Sequence, residues 1–296
     1  AVLADQGRKV LVLEQHFQLG GLTHTFQRQS WHWDVGLVYV GDMEPGNRFR
    51  HAYRYLTGNT SGWTQLPHVY DHYCFPDFQV DVPSSPTEHE EALKSLFPEE
   101  HAAIERYFVD YAIFRKYVEY LFLPRALPRP VSCLLKPLLQ WPFRKIPEQT
   151  LDGYLEQIGC SERLRAAIAA PWGDYGMVPA EGSLYQHWMV VGGFSLGAWY
   201  PKGSPKAIAR GFRQFIEERG GVLRTRAGVK RIVLDPSGKR AEGVKLESGE
   251  LVQGKIVVSA VGVRSTFTQL LPEEHVPPDM RELLQEYDNS IGHVAI

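Results

Sequence analysis

One carboxylate and two glycines near the amino terminus are the residues of this chain best suited to holding a nucleotide. Glu14 ends the short apolar run Lys9–Glu14, and Gly20 and Gly21 follow six positions later. In the second strand of a dinucleotide-binding βαβ unit, an acid in this place accepts hydrogen bonds from the hydroxyls of an adenosine ribose. Paired glycines let the backbone approach a pyrophosphate without a Cβ in the way. The alternative is a buried strand of any α/β protein, ended by a solvent-facing acid.

Two side chains are candidates for moving protons. Histidine exchanges a proton most easily near neutral pH, so His24 is a candidate acid or base. The alternative for His24 is a partly buried ring that only packs against a cofactor. Tyr175 follows Asp174 in a Gly-rich turn that either closes a tight loop or faces an active cavity. The weaker candidates, polar groups in an apolar stretch, are Glu181, His187 and Tyr200.

The elements that must position these residues are predicted to form an α/β fold that is split in sequence. Residues 1–60 carry the first part of a Rossmann-like nucleotide-binding domain, and residues 199–275 carry its second part. Residues 61–198, rich in Pro, Tyr, Phe and Trp, form an inserted mixed α+β domain for substrate. Residues 276–296 start a return to that inserted domain and are then cut off.

The two outer segments carry the clearest local signals. Ala1–Gln6 is predicted to be the end of a helix closed by Gly7. A second helix is predicted to start with Ser204 as N-cap and Pro205 at its first position, and to end at Gly220. Apolar alternation and turn residues then predict further strands, which cover 222–225, 229–234, 243–246, 251–252 and 255–260.

Composition excludes several classes of function. Lys plus Arg number 32 against 34 Asp plus Glu, giving a net charge of −2, whereas nucleic-acid binding needs a basic surface. The three cysteines, Cys74, Cys133 and Cys160, follow no metal or redox spacing and are predicted to be reduced core residues. No metal site is predicted. No run of about 20 apolar residues is present to span a bilayer.

Residues 117–145 combine apolar and aromatic residues with basic ones and prolines. Such a segment fits a surface that dips into the lipid headgroup region, and it would then mediate peripheral membrane contact. The alternative is an ordinary helical cap over a core. Localisation is therefore predicted to be peripheral membrane or cytoplasmic, and targeting stays open because we expect the true amino terminus to lie before Ala1.

Three stretches together resemble the flavin-dependent family of phytoene desaturases, carotenoid isomerases and retinol saturases, most closely its retinol saturase-like branch. They are Val10–Gln15 with Gly20–Phe26, Gly173–Gly176 with Pro179, and Gly197–Gly203. A Gly-rich turn would precede Ala1, because the fingerprint lies about 20 positions before its acid. The resemblance therefore implies an internal fragment, which we expect to be inactive by itself. The sequence departs from the family at Ser204, where a second glycine is expected.

The resemblance implies FAD as the cofactor and assigns roles to individual residues. Glu14 would hold the adenosine ribose, and Gly20 with Gly21 would let the backbone approach the cofactor. The remaining implied cofactor-binding residues are Thr23, His24, Thr25, Asp34, Gly36, Val229, Ala260 and Gly262.

The resulting hypothesis is an FAD-dependent oxidoreductase that saturates, desaturates or isomerises a C=C bond of an apolar isoprenoid or polyene, with hydride passing through flavin N5. The alternatives are a flavin amine oxidase-like enzyme, or a non-catalytic prenyl- or lipid-binding escort protein of the same fold. The sequence leaves the substrate, the direction of the redox step, the redox partner and the oligomeric state open.

Overall fold

The structure, a computed structural model, describes residues 1–58, 62–140, 146 and 148–287. Within them the chain divides into two compact units. The first takes 1–38, 52–58, 62 and 201–287, and the second takes 39–51, 63–140, 146 and 148–200. The division inferred from sequence differs from this one chiefly at 39–51 and at 276–287, which belong to the second and the first unit respectively. The rest of the predicted segment 276–296 lies outside the described residues.

The order of elements mixes short strands with helices throughout the described residues. The helices are Val2–Asp5 (α1), Arg48–Leu56 (α2), Pro86–Leu96 (α3), His101–Tyr117 (α4), Glu119–Ala126 (α5), Arg129–Gln140 (α6), Leu151–Gln157 (α7), Glu162–Ala169 (α8), Leu184–Phe194 (α9), Lys206–Glu217 (α10), Val263–Ser265 (α11) and Pro278–Glu286 (α12). The strands are Leu11–Leu13 (β1), Thr25–Arg28 (β2), Trp31–Asp34 (β3), Trp63–Gln65 (β4), Val69–Cys74 (β5), Gln79–Pro83 (β6), Trp199–Pro201 (β7), Val222–Arg224 (β8), Val229–Leu234 (β9), Ala241–Leu246 (β10) and Leu251–Gln253 (β11).

The first unit is organised around a parallel strand pair. β1 pairs with β8 so that Leu11 lies opposite Val222, and α10 leads into β8. Phe215 and Ile216 place the apolar face of α10 in the core, as its helical spacing predicts. The helix predicted over 1–6 is present as α1, and Gly7 follows it with a φ of 74°. The predicted strand at Lys9–Glu14 is likewise confirmed.

A three-stranded antiparallel sheet follows β8, in the order β11-β10-β9. Its strands agree with the predicted ones because alternating apolar residues and tight turns are local signals. Ile232, Val244 and Leu246 form a small core with Ala227. The β2–β3 hairpin, with Thr25 opposite Asp34, completes the strands of this unit.

Two predictions for the first unit were wrong. The strand predicted over 255–260 is absent: these residues have no strand partner among those described, and Ile256 and Val258 are exposed. An apolar run becomes a strand only where a neighbouring strand completes its hydrogen bonds. Ser204 does not act as an N-cap, because its side chain accepts no bond from the helix and α10 is capped at Pro205. Ser204 instead adopts a φ of 71°, a conformation that favours the glycine expected there.

The second unit is largely helical and has an aromatic core. Helices α4, α7, α8 and α9 bury Phe114, Leu155, Leu164 and Trp188 together. Side-chain oxygens of Ser85, Thr150, Ser161 and Ser183 cap α3, α7, α8 and α9 by accepting a backbone N–H. These caps satisfy donors that a helix start would otherwise leave unpaired. The hairpin β5–β6 packs its residues Tyr73 and Val80 against this core.

Among the described residues, no helix is both long enough and apolar enough to cross a bilayer.

Candidate functional site

Glu14 lies directly after β1, at the carboxyl end of the parallel pair. Its backbone N–H donates to the carbonyl of Arg224 at 2.9 Å, and its carbonyl accepts from the N–H of Ala227 at 2.8 Å. One carboxylate oxygen accepts the N–H of His16 at 2.8 Å. Among the described residues, no donor bonds to the second carboxylate oxygen of Glu14. The acid is therefore fixed at the strand end with acceptor capacity to spare, as binding a ribose diol requires.

Gly20 and Gly21 both occupy left-handed backbone conformations, with φ of 117° and 54°. A Cβ added to Gly20 would lie 2.8 Å from Thr23 Oγ1 and 2.9 Å from the Cβ of Ala209 on α10. A Cβ added to Gly21 would meet nothing within 4 Å. Gly20 is thus required for packing against α10, and the space beside Gly21 is open to a ligand. These glycines and Glu14 fit the phosphate and ribose of a nucleotide cofactor.

The turn after Gly21 is held by its own hydrogen bonds. Thr23 donates from Oγ1 to the carbonyl of Gly20 at 2.8 Å, and Nδ1 of His24 bonds to the carbonyl of Gly21. Because a carbonyl only accepts, Nδ1 carries the proton and Nε2 of a neutral His24 is free to accept one. The His24 ring lies 4.9 Å from that of His16. His24 is therefore oriented, with one ring nitrogen available for chemistry.

The neighbouring hairpin brings further predicted residues to this segment. Thr25 is buried at the start of β2, opposite Asp34 at the end of β3. The N–H of Gly36 donates to the carbonyl of Leu22 at 3.0 Å. A Cβ on Gly36 would lie 2.9 Å from that of Leu22, so only glycine fits this close approach.

The three predicted cofactor-binding residues from the later segment lie at separate places in the first unit. Val229 begins β9, two positions after the Ala227 N–H that bonds to Glu14. Gly262, with a φ of 92°, precedes α11, and its carbonyl accepts from the Thr266 hydroxyl at 2.6 Å. Ala260 is exposed and lies outside any strand. Val229 thus lies next to the Glu14 segment. Among the described residues, no hydrogen bond connects Ala260 or Gly262 to that segment.

Tyr175 lies in the second unit and contacts a buried histidine. Its hydroxyl lies 3.1 Å from Nδ1 of His187, and the hydroxyl of Tyr107 lies 3.1 Å from Nε2 of the same ring. His187 has no exposed surface. Burial raises the pKa of Tyr175 and lowers that of His187 to about 3. All three groups are therefore uncharged at neutral pH.

Acid is expected to destabilise the protein through His187. A histidine in an unfolded chain titrates near about pH 6.5, so between about 6.5 and 3 the unfolded state binds a proton that the native state does not. Stability present above that window is lost progressively as the pH falls, by about 2 kcal/mol at pH 5. Urea unfolding at pH 7 and pH 5 measures this loss. We expect a clearly smaller loss in His187→Gln, and an equal loss would contradict the assignment.

A small cavity in the second unit is enclosed mainly by aromatic side chains. Its volume is about 40 Å³, room for roughly three water-sized groups. Its aromatic lining includes Tyr39, Tyr70, Tyr73, Tyr107, Tyr111 and Phe194.

A carboxylate holds two of these tyrosines in place. Asp71 Oδ2 accepts the hydroxyl of Tyr39 at 2.7 Å and that of Tyr73 at 2.9 Å. Burial raises the pKa of both tyrosines, so both keep their protons. Sequence reasoning missed this cluster and the partners of His187, because they join residues far apart in sequence. The available local signal was the i, i+4 spacing of Tyr107 and Tyr111, which puts both on one face of α4.

Within the described residues, no three His, Cys, Asp or Glu side chains are grouped so that they could hold a metal ion. Cys74 and Cys133 are exposed and Cys160 is buried, and all three are free thiols. The predicted core position is therefore confirmed for Cys160 and wrong for Cys74 and Cys133.

Comparisons with known proteins relate the chain to flavoenzymes. The pattern of the family described as flavin containing amine oxidoreductase matches residues 147–294. All-trans-retinol 13,14-reductase of Rattus norvegicus is 33% identical over 308 residues, with 100% of this chain and 50% of that protein covered. The 4,4'-diapophytoene desaturase of Staphylococcus haemolyticus is 25% identical over 263 residues, with 83% of this chain and 49% of that protein covered. The chain spans about half the length of these curated relatives.

A solved structure supports the fold. A Pyrococcus furiosus protein superposes with a TM-score of 0.67 at 14% identity, covering 97% of this chain and 62% of that one. At this identity the likeness concerns the fold alone. It confirms the predicted fold class, a Rossmann-like domain split in sequence around an inserted domain.

Proposed function

Because this chain belongs to the flavin containing amine oxidoreductase family, within the group that includes retinol saturases and phytoene desaturases, we propose that it is part of an FAD-dependent oxidoreductase acting on a C=C bond of an apolar isoprenoid or polyene. The reaction is a saturation, desaturation or isomerisation. The observation that carries the proposal is Glu14, fixed at the end of β1 and followed by two left-handed glycines. A lipid-binding escort without cofactor needs neither feature.

The residues of the first unit that would hold FAD are those of the β1 turn. Glu14 would accept hydrogen bonds from the ribose hydroxyls, and Gly20 with Gly21 would admit the phosphates. Thr23, Thr25, Asp34 and Gly36 would extend this surface along the cofactor, as Val229, Ala260 and Gly262 would from the later segment. FAD, when bound, supplies the hydride-accepting or hydride-donating centre of the reaction.

The redox step is accompanied by a proton, which a protein group must donate or accept. His24 is suited to it, because Nδ1 is tied to the carbonyl of Gly21 and Nε2 remains free. Tyr175 is the second candidate from sequence, and its hydroxyl bonds to His187 in the inserted domain. The aromatic cavity of that domain supplies a dry, apolar surface for the end of the substrate.

The test of this proposal begins with the visible spectrum of the full-length gene product. We expect the absorption bands of an oxidised flavin, followed by turnover of a retinoid or carotenoid. Turnover of amines alone would support the amine oxidase alternative, which the name of the matching family favours. A protein that binds prenyl lipids without flavin bands would support the escort alternative.

We further propose that α5 and α6 contact a lipid surface. Leu134 and Leu138 on α6 are 78% and 70% exposed, and Phe122 and Leu123 on α5 are also exposed. Arg125, Arg129 and Lys136 lie between and beside these apolar residues. An exposed apolar face with basic neighbours suits an anionic headgroup region. A lipid-resident polyene would then reach the enzyme without crossing water. Residues 141–145 of the predicted segment lie outside the described residues.

Charges placed on this face are expected to weaken membrane binding about tenfold, because two leucines lose apolar burial in lipid. The variant is Leu134→Glu with Leu138→Glu in the full-length protein. Co-sedimentation with vesicles of phosphatidylcholine and phosphatidylserine measures the binding. Leu251→Glu, at a site that is 64% exposed on the other unit, is the matched control. Equal loss in both variants, or in neither, would contradict the proposal.

A further inference from the structure

His187 joins two tyrosines into one hydrogen-bonded chain. It lies on α9, Tyr107 lies on α4, and Tyr175 follows the one-turn helix Ala170–Asp174. Both oxygen–nitrogen distances are 3.1 Å. A neutral imidazole has one N–H donor and one acceptor nitrogen. At any moment one tyrosine therefore donates to His187 while the other accepts from it.

The two ends of this chain lie in different surroundings. Tyr107 is 4% exposed and lines the aromatic cavity. Tyr175 is only half-buried, and it directly follows Asp174, which is exposed and also lines the cavity. The chain of hydroxyl, imidazole and hydroxyl thus joins the buried Tyr107 to Tyr175, a residue that keeps some contact with solvent.

No member of the chain carries a charge at neutral pH. Burial lowers the pKa of His187 to about 3 and raises the pKa values of Tyr107 and Tyr175. A charged intermediate would be costly at such a buried place. Protons can nevertheless pass if all the bonds shift together, because each group then loses one proton and gains another.

We propose that Tyr107, His187 and Tyr175 form a proton relay, with Tyr107 as the group that exchanges a proton with a ligand in the aromatic cavity. This inference rests on the proposed function, in which saturation of a C=C bond takes one hydride and one proton, and it assigns that proton to Tyr107 and the Tyr175 side rather than to His24. A reduced flavin, when bound, would supply the hydride. Tyr107 and His187 have no other assigned part in that reaction.

The transfer balances at each atom. A C–H bond forms as the O–H bond of Tyr107 breaks, and Tyr107 regains a proton from Nε2 of His187. Nδ1 takes the proton of the Tyr175 hydroxyl, and Tyr175 is reprotonated by solvent. The net change is one proton consumed from water, with His187 left in its other neutral tautomer. The next proton requires that the imidazole return to its first tautomer, by rotation of the ring or exchange with water. Desaturation runs the same steps in reverse.

The relay predicts a kinetic signature that a merely structural network lacks. In the flavin-loaded full-length protein, Tyr107→Phe and Tyr175→Phe are each expected to lower kcat about tenfold with an unchanged KM and flavin content. Phenylalanine keeps the ring and removes only the hydroxyl. In the parent protein, kcat should fall in D2O with a curved dependence on deuterium fraction, because several protons move together. In Tyr175→Phe this curvature should disappear.

Tyr154→Phe is the matched control. Tyr154 is buried in the same unit, and its hydroxyl donates to Asp110 at 2.9 Å rather than to the relay. Thermal unfolding of all three variants separates a loss of folding from a loss of proton transfer. Because Tyr175 is only half-buried, its substitution should disturb folding less than that of Tyr107. Parental kcat and isotope behaviour in both relay variants would overturn the relay while leaving the proposed function intact. A parent protein without flavin or turnover would overturn both.

Discussion

Replacing Gly20 with alanine is expected to lower the free energy of unfolding by about 3 kcal/mol and to abolish flavin retention. The left-handed conformation at φ 117° costs about 1–2 kcal/mol for a residue with a Cβ. The added carbon also lies within 3.0 Å of Thr23 Oγ1 and the Cβ of Ala209, and overpacking of this kind costs about 1–3 kcal/mol. Relief of the contact would move the turn away from α10. Urea unfolding and the flavin absorbance of purified protein measure the two effects.

Two variants separate backbone strain from the steric contact. Gly21 also has a positive φ, but a Cβ added there meets open space. Gly21→Ala should therefore lower the free energy of unfolding only by the cost of the left-handed backbone, about 1–2 kcal/mol. Combining Gly20→Ala with Ala209→Gly removes one partner of the contact and should recover part of the loss in a double-mutant cycle. Equal destabilisation by Gly20→Ala and Gly21→Ala would show that the contact with α10 is unimportant.

Removing the carboxylate of Glu14 is expected to weaken FAD binding about 100-fold. Hydrogen bonds to a charged acceptor contribute about 1.5–3 kcal/mol, and each 1.4 kcal/mol is a factor of ten in affinity. Glu14→Ala loses both bonds to the ribose, whereas Glu14→Gln keeps one acceptor oxygen and should lose less. Titration of the apoprotein with FAD, followed by flavin fluorescence, gives the dissociation constants.

Glu217→Gln provides the control for charge. Glu217 is an acid of the same unit, paired on the surface of α10 with Arg213 at 2.8 Å, and its loss should leave FAD affinity unchanged. If Glu14→Ala bound FAD as tightly as the parent protein, the cofactor would have to be held elsewhere, and the assignment of the β1 turn would fail.

The elements predicted correctly from sequence are those whose signals are local. In α10, Phe215 and Ile216 lie on one face at helical spacing, and the meander β9–β11 is marked by its turns. The strand expected over 255–260 has an equally strong apolar run, but its formation depends on a partner that sequence does not reveal. Ser204 has the composition of an N-cap, yet the turn before α10 requires a positive φ there.

In the site, too, local patterns could be predicted from the sequence and contacts between distant residues could not. Glu14, Gly20 and Gly21 could be identified because strand, acid and glycines follow one another within a few residues. The bonds of His187 could not, since Tyr107 is 80 residues away in sequence. Asp71, which orients Tyr39, lies 32 residues from it. Apolar and aromatic composition indicated a substrate domain there without showing which hydroxyls meet.

The pairing of β1 with β8 also has a consequence for biosynthesis. Asp5 and Arg219, which are 214 residues apart, bond at 3.1 Å, and within the described residues β1 pairs with β8 alone. At translation rates of about 5–20 residues per second, β1 waits roughly 10–40 s for β8 to leave the ribosome. During this delay the nascent chain exposes an unpaired apolar edge, which makes it a natural client for chaperones.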